Sequence, residues 1–485
     1  MKCTDKVKYR SHVMQRGGIK KKGIQSICFT AAAVFIFSSA CFFDLIITTR
    51  HGINFWNALY EGEILKYYTY NLDAHCKYEG ISYAMYNIIE YIIFAIWDFP
   101  LWIIEKTAHI DVLETSAGLM YAKSIVVFFF CKTLRKMKQI CREIEMSETR
   151  IKRVLGLFLT SAICYVTVYS MGQYDIIMLF FVVQGVLAYL RRDRKAFYVN
   201  FMIAIPLKLF ALLVFVPLLL LNTKKLIRIL LSTVIVMFPY IVTTCLYLLT
   251  DPDGIAVAGT GQSALLRLMI ANNIDLTLEP VSFFIMGMVF ICMVCYIFRL
   301  PKKQEKEWTI YIVCMIFMVL SIAMLVHPQW LMYMVPFMCI MIGMQENFEI
   351  FLIIDTVGTF CIMLASYIYN SAICSANIID AMWLADIFGG VKNISGNLSL
   401  FSILAETGAM EPINLIYKCA LAVFVVCFIA LGVLLCPWST KIKAHLYQLS
   451  DGSEKCWMRI RLALSVGLCF IPIVSYWIVL IMEKD

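Results

Sequence analysis

What this chain lacks most is charge. Only 15% of its 485 residues are Asp, Glu, Lys or Arg, against about a quarter in a soluble globular domain. It also lacks the signatures of several chemistries. There is no Cys/His spacing of a zinc site, no GxSxG, no P-loop and no His/Glu helix motif. The 19 cysteines do not change this. Cys28, Cys41, Cys164, Cys245, Cys292, Cys295, Cys314, Cys339 and Cys361 lie in apolar runs, where Cys acts as a small hydrophobe. Cys76 and Cys374 fall in segments expected to be loops, with nothing in the sequence to pair them.

What is present is apolar. Hydrophobic residues make up 61% of the chain and mean hydropathy is +0.79. Apolar runs lie at about 24–47, 114–131, 154–171, 175–190, 197–221, 225–249, 281–299, 308–326, 331–346, 349–370, 412–436 and 460–481. A soluble core does not need such runs, and a bilayer crossing does. The expected fold is an all-α polytopic membrane protein. The net charge of +9 then marks cytoplasmic loops and not a nucleic-acid partner.

The basic stretches orient the runs. The tail 1–23 carries Lys2, Lys6, Lys8, Arg10, Arg16, Lys20, Lys21 and Lys22 against Asp5 alone. It reads as cytoplasmic, ahead of a retained first helix and not a cleaved signal. Stretches 132–153, 191–195, 222–228, 299–306 and 441–461 are assigned to the same side. Parity then makes 82–104, with Glu90, Asp98 and Pro100, an interfacial helix inside one long outer segment, 48–113. It also makes 197–221 a hairpin of two short helices broken by Pro206 and Pro217. Irregular backbone at membrane depth needs protein around it or a cavity to line. The expectation is about 13 crossings, counting the hairpin as two. A module at 24–346 is followed by C-terminal helices at 347–485, with an outer loop at 371–411.

Several polar groups stand out on the outer side. Asp44 lies near the end of the first run. It either ends a helix at the headgroups or faces a cavity as a base, since ionisable residues in spans are costly and a placed carboxylate can take a proton from a hydroxyl. Gly172-Gln173-Tyr174-Asp175 is either a bare tight turn or one whose Gln173 and Asp175 bind sugar hydroxyls. Lys208, in the hairpin, either snorkels to the inner interface or neutralises a lipid phosphate. In His327-Pro328-Gln329-Trp330 the Trp is ordinary belt chemistry, whereas His327 and Gln329 can donate to phosphate or sugar oxygens. Arg50, His51, Lys66, His75, Lys77 and Arg267 are further outer cations. Asp251-Pro252-Asp253 has the spacing of a metal-binding DxD but is read as turn chemistry. Asn393 and Asn397 begin glycosylation sequons.

Taken in order, these segments resemble membrane glycosyltransferases of the GT-C type, particularly the polyprenyl-phosphate-sugar-dependent mannosyltransferase-like proteins. The resemblance covers about residues 24–346. It rests on Asp44 with the aromatic stretch Gly52–Gly62, on Gly172-Gln173-Tyr174-Asp175, on Pro206-Leu207-Lys208 with Pro217, and on His327-Pro328-Gln329-Trp330 with Pro336. It implies a GT-C-like fold that moves a hexose, mannose-like, from a polyprenyl-phosphate donor to a hydroxyl of a lipid or glycan acceptor. Transfer would occur on the extracytoplasmic face of a bacterial plasma membrane, with inversion and with neither metal nor other cofactor. Asp44 would be the base, with Glu61, Glu63 and Asp73 as the other acids of its segment. Arg50, His51, Gln173, Asp175, Lys208, Arg267, His327 and Gln329 would contact substrate. Nucleotide sugars are cytoplasmic, so an outer site separately favours a lipid-linked donor. A transporter or lipid flippase would instead show internal repeats with discontinuous helices in both halves. The proline-broken hairpin occurs once. A surface-polysaccharide polymerase or ligase would use similar outer loops.

Overall fold

The computed structural model describes residues 30–72, 83–274, 279–323, 327–369, 379, 382–388, 408, 410–438, 446 and 453–482. The expectations for the tail 1–23, Cys28, Asp73, His75, Cys76, Lys77, Cys374 and the Asn393 and Asn397 sequons lie outside these residues.

The described chain is almost entirely helical. In order, its main helices are α1 (Thr30–Ser39), α2 (Phe43–Glu61), α3 (Ile88–Ala108), α4 (Ser116–Glu143), α5 (Glu148–Leu159), α6 (Ala162–Met171), α7 (Ile176–Leu190), α8 (Arg194–Leu207), α9 (Phe210–Asn222), α10 (Leu226–Thr250), α11 (Pro252–Ala271), α12 (Phe283–Ile297), α13 (Glu305–Ala323), α14 (Val335–Gly343), α15 (Phe348–Tyr369), α16 (Met410–Leu435) and α17 (Ser453–Cys469). The sheet among the described residues is one antiparallel pair, Asn273–Ile274 with Val281–Ser282.

Six helices are long and apolar enough to cross a membrane, and up to eight if the bent pairs α1–α2 and α5–α6 each count as one span. That is fewer than the expected 13. The difference lies in short apolar helices such as α7, α9 and α12, of 15, 13 and 15 residues. At 1.5 Å per residue they extend about 20–22 Å, short of a hydrocarbon core of about 30 Å.

Three boundaries differ from expectation. The first apolar run does not end at Asp44. The chain breaks at residues 40–42, bends by 68° and continues as α2 to Glu61, so Asp44 lies in the first turn of a new helix. Much of the expected loop 48–113 is therefore helix. α2 packs along α3 at a close crossing, where a Cβ added to Gly52 would stand 2.8 Å from Phe94 Cβ. Second, 197–221 does fold as two short helices, but they part at Lys208-Leu209. Pro217 sits inside an unbroken α9. Face-to-face rings of Phe197 and Phe215, 5.1 Å apart, close the hairpin. Third, Arg461, assigned above to a basic loop, is 1% exposed within α17.

One continuous hydrophobic core runs through the bundle. A smaller aromatic core joins α2, α3, α10 and α11 through Ala58, Tyr67, Tyr68, Tyr91, Tyr247 and Ala258. Asp251 ties it down. Its carboxylate accepts from Gly254 N at 3.3 Å, capping α11, and from Thr69 N at 2.9 Å and the Thr69 hydroxyl. The Asp-Pro-Asp segment therefore serves as a helix cap.

Candidate functional site

The hairpin and the 172–175 turn meet at one point. Lys208 lies in extended backbone between α8 and α9, and its ammonium is 3.1 Å from Asp175 Oδ1. Both side chains are buried, at 10% and 2% exposure. The ammonium also sits over the Tyr86 ring, 3.7 Å from its centroid, and 5.3 Å from that of Tyr174. Aromatic faces carry partial negative charge, so a desolvated cation gains from such contact. A lysine in an apolar hairpin has thus found an anion and two ring faces, and is not snorkelling to an interface.

Asp44 approaches from α2. Gln173 Nε2 donates to its Oδ2 at 3.3 Å. Asp44, Ile47, Thr48 and His51 stand at i, i+3, i+4 and i+7 and share one helix face. That face lines a cavity of about 30 Å³ with Tyr86 and Tyr174. A second cavity, of about 10 Å³, also lined by Tyr174, lies among Glu90, Asp175 and Lys208. Each has room for about one or two waters. Neither has room for a group the size of a sugar ring.

The 327–330 turn completes the cluster. The His327 ring packs on Trp330 at 4.5 Å, and its Nδ1 is 3.4 Å from Gln329 Nε2. Burial, and then the nearby Lys208 charge, push His327 down to about 4, so the ring is neutral at pH 7. Burial pushes Glu90 up to about 8, against the pull of Lys208. Glu90 is 3% exposed and its Oε2 has no hydrogen-bond partner among the described residues.

A buried lysine holds these parts in register. Lys123, 0% exposed in α4, places its three ammonium donors among four backbone carbonyls: Phe37 at 2.7 Å, Ala40 at 2.6 Å, Tyr169 at 2.7 Å and Ser170 at 2.8 Å. Those are the free carbonyl ends of α1 and α6, which a helix terminus must satisfy from outside. Phe42 N bonds Met171 O at 2.9 Å across the same junction. Gly172 follows in the left-handed region, φ +76, and sets Gln173 and Asp175 toward α2 and Lys208.

The cluster thus contains Asp44, His51, Gln173, Asp175, Lys208, His327 and Gln329, but not every candidate. Arg50 is engaged elsewhere, with Nη1 3.0 Å from Glu105 Oε1 and Nη2 paired to Asp111, so both ends of its fork are taken. Arg267 is exposed on α11 and lines neither cavity. Glu61 and Glu63 are exposed; Glu61 accepts from the Tyr70 hydroxyl and Glu63 is 3.9 Å from Lys66. Sequence reasoning missed Lys123, although a lysine inside the 114–131 run was a visible signal. It also missed Tyr86 and Tyr174 as ring partners and took Glu90 only as an interfacial acid.

The chain matches no protein-family model and no curated protein.

Proposed function

We propose that the protein is a membrane glycosyltransferase that moves a hexose from a polyprenyl-phosphate donor to an acceptor hydroxyl at the extracytoplasmic end of the bundle. The observation that carries this reading is the cluster itself. A carboxylate, Asp44, and a buried cation, Lys208, both border Tyr86 and Tyr174, next to an amide and a neutral imidazole. In the reaction, the acceptor oxygen bonds to the anomeric carbon as its proton passes to Asp44. The bond from that carbon to the phosphate oxygen breaks, and the electron pair leaves with the lipid phosphate. Lys208 stabilises the charge gained by that phosphate, while Gln173, Asp175 and Gln329 orient hydroxyls. Inversion follows from a single displacement. Arg50 and Arg267 take no part.

The test uses the full chain in proteoliposomes, supplied with polyprenyl-phosphate mannose and other hexoses. Asp44→Asn is expected to lower transfer by about 10²-fold or more, the scale of a lost general base, at unchanged thermal stability. Full-rate transfer by the Asn variant removes Asp44 as the base. Solute or lipid flux with no transfer from any donor removes the enzyme reading altogether.

A further inference from the structure

We infer that the protein holds an anionic phospholipid headgroup in a basic cavity at the far end of the helices that build the site. α7 begins just after Asp175, α8 ends just before Lys208 and α9 begins two residues beyond it, so their other ends gather at the opposite end of the bundle. Across a 15-residue helix this is a separation of about 22 Å.

At that far end is a cavity of about 970 Å³, roomy enough for a lipid headgroup. Arg192, Arg194, Lys195 and Arg228 line it, against Asp193 and Glu305. Both acids already have roles: Asp193 Oδ1 caps α8 by accepting from Ala196 N at 3.0 Å, and Glu305 pairs with Arg192 at 3.1 Å. Among the described residues, Arg194, Lys195 and Arg228 have no ion-pair partner, and all three are exposed. The Tyr198 hydroxyl, bonded to Ser232 Oγ at 2.6 Å, stands in the same wall. The lining is thus cationic with hydroxyls, the chemistry that suits a phosphodiester.

The apolar part of the ligand is written on α10. Leu231 both lines the cavity and is 55% exposed. It belongs to a helix face on which Ile227, Leu230, Val234 and Phe238 recur at i, i+3 and i+4 spacing, each at least half exposed. Such a face in a bilayer is covered by acyl chains. A free anion would use the cations but not this face; a phospholipid uses both. Juxtamembrane cations of this kind each strengthen anionic-lipid binding.

The experiment compares purified full-length protein in phosphatidylcholine nanodiscs with and without phosphatidylglycerol, reading bound lipid by native mass spectrometry and thermal stability by unfolding. The wild type is expected to retain phosphatidylglycerol over phosphatidylcholine and to gain stability from it. The variant R194Q/K195Q/R228Q is expected to lose at least about tenfold in phosphatidylglycerol retention. A charge-matched control, R135Q/K138Q/K152Q, removes three other cations and is expected to retain it within about twofold. Equal loss in both variants overturns the proposal in favour of diffuse surface charge. Unchanged retention in the first variant overturns it outright. Displacement of the lipid by millimolar glycerol phosphate shows a free-phosphate site and also overturns it.

Discussion

Two Asp-centred ion pairs are sealed inside this bundle, and their surroundings differ. Arg461 and Asp355 join α17 to α15 at 2.5 Å, with side chains 1% and 6% exposed. The remaining guanidinium contacts are to the Thr356 hydroxyl at 3.3 Å and the Leu157 carbonyl at 3.4 Å, both parts of neighbouring helices. The pair serves as a fastener. Lys208 and Asp175 are 3.1 Å apart and equally hidden, but they border a cavity, face two tyrosine rings and stand near Asp44, Glu90 and His327. Burial of an ion pair is therefore no mark of function in itself. What separates the two is whether other polar groups and open volume converge on the pair.

The largest expected effects come from breaking each pair and then replacing it whole. Removing one partner leaves a buried charge, so Arg461→Leu and Lys208→Met should each destabilise by about 3–5 kcal/mol in detergent unfolding. Replacing both partners by neutral groups relieves that cost. Asp355→Leu with Arg461→Met should recover both stability and the hexose transfer proposed above. Asp175→Asn with Lys208→Met should recover stability but not transfer. Normal transfer by the second double variant would make both pairs fasteners, and lost transfer in a fully stable first one would make both functional.

Glu90 sharpens the contrast through pH. Burial raises its carboxyl from the ordinary 4.5 to about 8, so the fold prefers the neutral acid. The stability this contributes is fully present below pH 4.5 and is lost as pH rises through about 8. Within that window the slope reaches about 1.4 kcal/mol per pH unit. Glu90→Gln stays neutral throughout. It should match the wild type near pH 4.5 and unfold at progressively higher temperature than the wild type toward pH 8. His327 has the opposite sign: held down to about 4, its contribution is present above pH 6.5 and lost as pH falls through 4. Parallel melting curves for Glu90→Gln and wild type between pH 5 and 8 would place Glu90 outside the desolvated cluster.

How much of this was legible depends on how far apart the partners lie in sequence. The helical, membrane-compatible class follows from the scarcity of charge. The 172–175 turn and the hairpin at Lys208 were marked by Gly, Pro and an isolated cation, which are local signals. The break at residues 40–42 was not, because Ala40-Cys41-Phe42 contains no Gly or Pro. It is held by Lys123, 83 residues from Ala40. The ion pairs of Arg50 were hidden for the same reason: its partners Glu105 and Asp111 stand 55 and 61 residues away. Pro217 looked like a breaker, yet the surrounding core keeps α9 continuous.

Lys123 tests whether long-range fastening reaches the site. Lys123→Met leaves the carbonyls of Phe37, Ala40, Tyr169 and Ser170 without their donor. The loss of those bonds, partly offset by removing a buried charge, should destabilise by about 2 kcal/mol. Because these carbonyls set the positions of α2 and the 172–175 turn, transfer should fall further than the folded fraction does. A loss of transfer that tracks the folded fraction would make Lys123 a fastener like Arg461.

The smallest effect isolates that same contact. Gly172 and Gly62 both sit in the left-handed region, at φ +76 and +79. A side chain costs either of them about 1–2 kcal/mol on backbone grounds alone. They differ in space. A Cβ at Gly62 meets nothing within 4 Å, whereas one at Gly172 would stand 2.8 Å from Lys123 Cε and 2.9 Å from its Cγ. Gly172→Ala must therefore push the lysine stem away from the carbonyls it serves, and Gly62→Ala need not. Both variants should lose similar backbone stability, with Gly172→Ala lower by about a further 1 kcal/mol, the scale of overpacking a well-filled interior. Only Gly172→Ala should lower transfer at equal folded fraction, because only its turn presents Gln173 to Asp44 and Asp175 to Lys208. Equal transfer by the two variants would show that the 172–175 turn tolerates displacement of Lys123, and the registration of Asp44 against Lys208 would then have to come from α2 and α3 packing at Gly52.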